Sequence, residues 1–182
     1  MKFHALLFTA LLLATSAFGQ TEVKWRKFKS NEGEFRALMP GEWEHIHQEF
    51  GTKDAPTTLH INLHETNKEN AADNVKYSIS WADLNAHLDS EDPNKLQDLF
   101  DEQIDRVVKS KKGGIPVSDT VTKYRGYPGS DVELAYDNDQ AKSYLRMFLV
   151  KNRLYLLEVS GMGDKINQEA LDKFFESLEV KF

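Results

Sequence analysis

The chain has 182 residues, with 29 acidic against 23 basic side chains, a formal net charge of −6 and no cysteine. Without cysteine there are no disulfides, no thiolate metal sites, no cysteine nucleophile and no lipid attachment through an N-terminal cysteine. The acidic balance repels phosphate backbones and anionic lipid, so nucleic acid and membrane surfaces are not expected partners.

The first residues, "MKFHALLFTALLLATSAFGQ", read as an address. A basic start at Lys2, an apolar run from Ala5 to Ala14 and the small-x-small ending Ala17-Phe18-Gly19 before Gln20 form a secretory signal peptide over residues 1–19. The run is short for a bilayer, and no later segment is longer and equally apolar, so no membrane insertion is expected. The expected mature protein, residues 20–182, is one domain in the periplasm or secreted, large enough to hold itself together by its core.

"VKWRKF" and "EFRALM" flank the turn-like "KSNEGE" and predict a first hairpin, closed by "MPGE". Two histidine-bearing runs follow as the next strand pair. Val75, Tyr77, Ile79 and Trp81 then alternate with Lys76, Ser78, Ser80 and Ala82, the period of a strand with one buried face. A linker, "NAHLDSED", leads to a helix opened by Asp92 as N-cap and Pro93. Leu96, Leu99, Phe100, Ile104, Val107 and Val108 form its stripe, and Gly113-Gly114 its end. Lys109, Lys111 and Lys112 read as a cationic cap on its negative pole. "PVSDTVTKY" and "SDVELAY" read as strands around the turn "RGYPG". "YLRMFLV" and "RLYLLEVS", joined tightly at Lys151-Asn152, are apolar on both faces and belong in the middle of a covered sheet.

A second helix is capped by Asn167, with Ile166 and Leu171 as a hydrophobic staple and Ala170, Leu171, Phe174 and Phe175 facing in. Leu178, Val180 and Phe182 alternate with charges as a last strand. Hairpins dominate and the two helices lie far apart, so the fold class is α+β: a mostly antiparallel sheet flanked by two main helices, an α/β/α sandwich.

Several of these stretches resemble PsbP-like domains: "FKSNEGEFRALMPG" from Phe28 to Gly41, "YRGYPG" at Tyr124, "RLYLLEVSG" at Arg153 and "FFESLEV" at Phe174. They span nearly all of residues 20–182. The resemblance implies a fold shared with a Ran-binding nuclear transport factor, and accessory or binding roles rather than catalysis. It transfers no functional residue.

Four of the six histidines fall in "HIHQEF" and "LHINLHE". If the two runs pair across "GTKDAP" with Phe50 opposite Thr57, His47 faces His60 and His45 faces Asn62. Strand parity then places His45, His47, Glu49, His60, Asn62 and His64 on one side. Ile46, Phe50, Leu59, Ile61 and Leu63 lie on the other, with Gln48 a polar exception, and are expected to enter the core while the imidazoles face outward. Opposed side chains have Cβ atoms roughly 4.5 to 5.5 Å apart, within reach of one ion if a third imidazole or carboxylate joins. His45, His47, His60 and His64 are therefore the candidate ligands for zinc or copper, which imidazole with carboxylate suits better than calcium or magnesium. Crowded imidazoles also offer proton sensing. A half-exposed strand needs a polar face in any case, and histidine, threonine and asparagine supply one without a ligand.

Other motifs point away from catalysis. "DNDQ" from Asp137 lacks the glycine and glutamate of a calcium loop and reads as a hairpin turn. "VSGMG" is not G-x-S-x-G. Asp98, Asp101, Glu102 and Asp105 lie on the polar side of a helix, and Trp25, Trp43, Trp81 and Tyr127 read as core. Ser78 and Ser80, taken with Thr120 and Thr122, form polar strand faces that would make a polar floor if those strands adjoin. The sequence is read as an exported, non-enzymatic binding or accessory domain without a cofactor, meeting a partner protein or a small polar ligand. The alternative is a histidine-based zinc or copper binder.

Overall fold

The computed structural model describes residues 24–52, 55–70, 72–84 and 92–181. The expected signal peptide, most of the expected linker and Phe182 lie outside the described residues. Among the described residues, ten strands form two antiparallel sheets, with two α-helices packed on the larger one. β1 (Arg26–Ser30) and β2 (Phe35–Met39) are the first hairpin. β3 (Glu44–Thr52), β4 (Ala55–Glu65) and β5 (Val75–Asp83) precede α1 (Pro93–Ser110). β6 (Ile115–Tyr124), β7 (Tyr127–Tyr136), β8 (Ala141–Val150) and β9 (Arg153–Met162) follow as a meander. α2 (Gln168–Glu176) and the short β10 (Glu179–Val180) end the chain.

The main sheet runs β3-β4-β5-β9-β8-β7-β6, which puts β8 and β9, read from the sequence as apolar on both faces, in its interior. The first hairpin does not join it: β1-β2-β10 form a separate small sheet. One face of the main sheet is covered by that small sheet and α2, where Phe35, Met39 and Phe174 pack on Tyr77, Ile79 and Trp81. On the other face α1 lays Leu96, Phe100 and Ile104 on Val132, Leu145 and Leu149. The sandwich is therefore asymmetric, a lone helix on one side and a helix plus sheet on the other. Among the described residues no helix is long and apolar enough to cross a membrane.

Local chemistry explains the helix ends. The Asp92 carboxylate accepts from the Asn94 and Lys95 amides at 3.0 and 3.5 Å, and the Asn167 side chain accepts from Ala170 N at 2.9 Å, so both caps satisfy orphan donors. Only Lys109 of the lysine cluster sits in the last turn of α1. Lys111 instead reaches across to Glu158 at 2.7 Å, so it is a tertiary ion-pair residue rather than a dipole cap. The predicted "RGYPG" turn is tighter than expected: only Arg125 and Gly126, both at positive φ, turn the chain, and Tyr127 to Gly129 continue as strand. β10 pairs with β2 over Glu179–Val180, and just beyond it the Lys181 amide donates to the Glu34 carbonyl at 2.6 Å.

Arg153 ties the two sheets together. Its guanidinium donates to both carboxylate oxygens of Asp83 at 2.6 and 2.8 Å and to the Glu32 carbonyl at 2.9 Å, while the Tyr155 hydroxyl donates to the Gly33 carbonyl at 2.8 Å. The β1–β2 loop is thus pinned to the main sheet at two carbonyls. The Arg153 hydrogen bond holds the Asp83 carboxyl below its ordinary range, and Lys76 does the same for Glu65. Depressed folded-state values stabilise the fold above the unfolded-state range, about 3.9 for Asp and 4.3 for Glu, and that stabilisation fades as pH falls through the lower folded values. Urea midpoints measured from pH 6 down to 3 are expected to fall most steeply below about pH 4.5. Asp83→Asn is expected to flatten that fall; an unchanged slope in the variant would remove Asp83 from the account.

Candidate functional site

The β3–β4 hairpin has the register inferred from the sequence: His47 pairs with His60 and His45 with Asn62. The same parity carries into β5, where His60 pairs with Trp81, Asn62 with Ile79 and His64 with Tyr77. Since Tyr77, Ile79 and Trp81 face the core shared with the small sheet, the histidine face is the covered face, and the expected direction is reversed. Asn62 is 1% exposed, whereas Ile46 on the opposite side is 41% exposed. The three large side chains of β5 decide the matter, because their burial outweighs that of the partly covered Leu59, Ile61 and Leu63.

The four histidines have different surroundings. His60 is half-buried and stacks on the Trp81 indole, ring centroids 4.8 Å apart and planes within 8°. His45 stands edge-on to both, 5.7 Å from His60 and 5.8 Å from Trp81, and its Nδ1 lies 3.1 Å from Asn62 Oδ1. With the Asn62 amide oriented this way, its Oδ1 accepts from the His45 tautomer protonated on Nδ1, which leaves Nε2 able to ligate. His64 donates from Nδ1 to the Glu42 carbonyl and packs so closely on Gly41, at φ 153°, that a Cβ there would come within 2.4 Å of the ring. His47 is exposed, 6.3 Å from His45.

The structure adds an acid that the sequence did not nominate. Glu32, from the β1–β2 loop, lies 3.6 Å from His60 Nε2. Glu32, His45 and His60 each offer one ligand atom, all within 4.8 Å of one another, while His47 and His64 stand outside this group. Glu32 belongs to a different sheet thirteen positions upstream of His45, and no local spacing signals the contact.

Two concavities lie on the α1 face. At one end of the sheet is a polar cavity of ≈ 600 Å³ floored by Ser160 and Tyr136 and ringed by Lys68, Lys76 and Lys111. Ser78 borders this region, but its polar companions are Ser143, Glu158 and Ser160 of the central strands; Thr120 and Thr122 lie on β6, at the far edge of the sheet. Each lysine there is paired with a carboxylate: Lys76 with Glu65 at 2.8 Å, Lys111 with Glu158 at 2.7 Å, and Lys68 with Glu44. Burial holds the Tyr136 phenol above its ordinary range. At the other end, between α1 and the β4–β5–β9 strands, a groove of ≈ 520 Å³ exposes Leu59, Leu84, Leu99, Val107 and Leu156, with Arg106 among its polar residues. Of the aromatics, Trp81 is core, and Trp25, Trp43 and Tyr127 are partly buried against it.

The sequence matches no protein-family model, and it matches no curated protein. In three dimensions the chain is similar to the solution structure of cyanobacterial PsbP from Synechocystis sp. PCC 6803, with a TM-score of 0.59 at 10% identity over 92% of this chain and 99% of that one. The fold is PsbP-like. This is the fold that the turn glycines and core positions implied. Saccharomyces cerevisiae Mog1p, a Ran-binding protein, aligns at a TM-score of 0.46 and 8% identity over 87% of this chain and 96% of its own. A Pseudomonas aeruginosa protein of unknown function aligns at 0.43 and 9% over 65% and 85%.

Proposed function

We propose that this PsbP-like chain is an exported, non-enzymatic binding domain that docks apolar side chains of a partner protein in the groove between α1 and the β4–β5–β9 strands. The carrying observation is the groove itself: ≈ 520 Å³ in which aliphatic side chains of a helix and a sheet stay open to solvent beside polar residues such as Glu102, Gln103 and Arg106. Concave, mostly apolar sites of about 300–1,000 Å³ with a few orienting polar groups are where ligands bind. Leaving these half-buried leucines partly uncovered forgoes about 25 cal/mol for every Å² that a partner would cover. The polar cavity competes less well for this role, because its charged groups already satisfy one another. Export rests on the leader, and a mature N-terminus at Gln20, read by mass spectrometry, is the outcome expected for it.

A photo-crosslinking amino acid placed at Leu59 or Gln103 in the producing cell tests the docking surface. One discrete adduct is expected from both positions, reduced at least about tenfold by Val107→Glu, since an unpaired carboxylate in an apolar contact is costly. The same adduct from Lys29, exposed on the far side of the small sheet, or its survival in Val107→Glu, would overturn the reading.

A further inference from the structure

The Glu32, His45 and His60 group is built like a site rather than scattered like a surface. Two imidazoles and one carboxylate converge with ligand atoms within 4.8 Å of one another. Neighbours position each residue while leaving the exposed side chains of Glu32 and His45 room to turn. Trp81 stacks beneath His60, Asn62 holds the tautomer of His45, and Arg153 and Tyr155 pin the carbonyls of Glu32 and Gly33. Metal-binding histidines are characteristically oriented by just such a hydrogen bond to the second ring nitrogen. The His60 nitrogen turned toward Glu32 is Nε2, 3.6 Å from the carboxylate, so the ring presents that atom to the group while its Nδ1 is buried.

We propose that Glu32, His45 and His60 form a divalent transition-metal site, with zinc(II) or copper(II) as the class of ion. Two imidazoles and a carboxylate are the donor set these ions accept, and neither calcium nor magnesium favours imidazole. Three protein ligands leave at least one coordination position for water or a partner's side chain, and Glu32 and His45 are exposed, so the ion enters from solvent. Closing the group from its present spacing to bond lengths of roughly 2.0–2.2 Å needs rotation of the exposed Glu32 and His45 side chains, not of the stacked His60. Asn62 acts as a positioning residue, through His45.

The test is isothermal titration of the tag-free protein with zinc chloride and with copper sulfate, followed in parallel by tryptophan fluorescence. One ion per chain with micromolar or tighter affinity is expected, and copper is expected to quench the Trp81 emission because its ligand His60 is stacked on that ring. Glu32→Gln and His45→Gln, both at exposed positions that leave the fold intact, are each expected to weaken binding by no less than the roughly 10- to 100-fold cost of losing an outer-shell partner. His47→Gln is expected to stay within about twofold of the parent, as a non-ligand should. Absence of saturable binding overturns the site. So does binding that survives in the Glu32→Gln/His45→Gln double variant, or that depends on His47 as much as on His45.

Discussion

Replacing Trp81 with alanine is expected to destabilise the protein by about 4 kcal/mol, within the 3–5 kcal/mol range for truncating a buried large aromatic. The indole is 2% exposed at the centre of the core between the two sheets. It meets Phe35 of β2 edge-on at 5.4 Å and 71°, and it carries His60 on its flat face. Phe35 is itself fully buried against Phe28 and Tyr155, so the cavity left by alanine opens where the small sheet meets the main one. Against a total stability of about 5–15 kcal/mol, such a loss leaves the fold marginal. A urea-unfolding midpoint reads it directly, and Trp81→Phe, which keeps a ring at the same place, is expected to lose less than half as much. Because Trp81→Ala and His60→Ala remove the same stack, their effects are expected to fall short of additivity by about 0.5–1.5 kcal/mol. A cost for Trp81→Ala below about 2 kcal/mol would mean that the sheets are held together elsewhere.

The elements of the fold were legible wherever one residue type fixes a local geometry. Asp92 and Asn167 cap their helices through side-chain oxygens, and Tyr77, Ile79 and Trp81 alternate inward. The β3–β4 register was legible too, since two runs joined by a short turn have few ways to pair. What the sequence did not carry is the direction in which that hairpin faces. Its own pattern places aliphatics on one side and imidazoles on the other, and it contains nothing about β5, whose aromatic face overrules it. Glu32 was invisible for the same kind of reason: it reaches His60 only because the first hairpin leaves the main sheet to pair with β10, a choice made at the opposite end of the chain. Ser143 and Ser160 were hidden inside strands read as apolar throughout, where a small hydroxyl leaves the hydrophobic pattern almost undisturbed.

Those serines border the second large effect, in the Lys111–Glu158 pair. Glu158 stands on a central strand, opposite Ser78 and Leu145, and accepts from Lys111 Nζ at 2.7 Å and from Ser143 Oγ at 2.5 Å. The paired side chains are only 20% and 19% exposed, unlike the open Arg106–Glu102 pair of α1. Glu158→Ala would leave the fully buried Ser143 hydroxyl without its acceptor and Lys111 without its counter-ion. Losing one partner of a buried pair costs about 3–5 kcal/mol, but Lys111 also lines the open polar cavity, where water can solvate its ammonium. The expected loss is therefore about 2 kcal/mol, set chiefly by the stranded hydroxyl and the partial desolvation. Replacing both partners, Lys111→Met with Glu158→Leu, is expected to recover at least about half of it, because apolar groups at these positions leave no charge to solvate. Removing Arg106 from its helical pair with Glu102, by contrast, is expected to change the ion-pair contribution by only about 0.3–0.5 kcal/mol. If Glu158→Ala costs no more than that surface pair, the polar end of the sheet is as wet as the exterior. The double replacement then has nothing to recover, and the serines facing the cavity are ordinary solvated groups rather than members of a buried network.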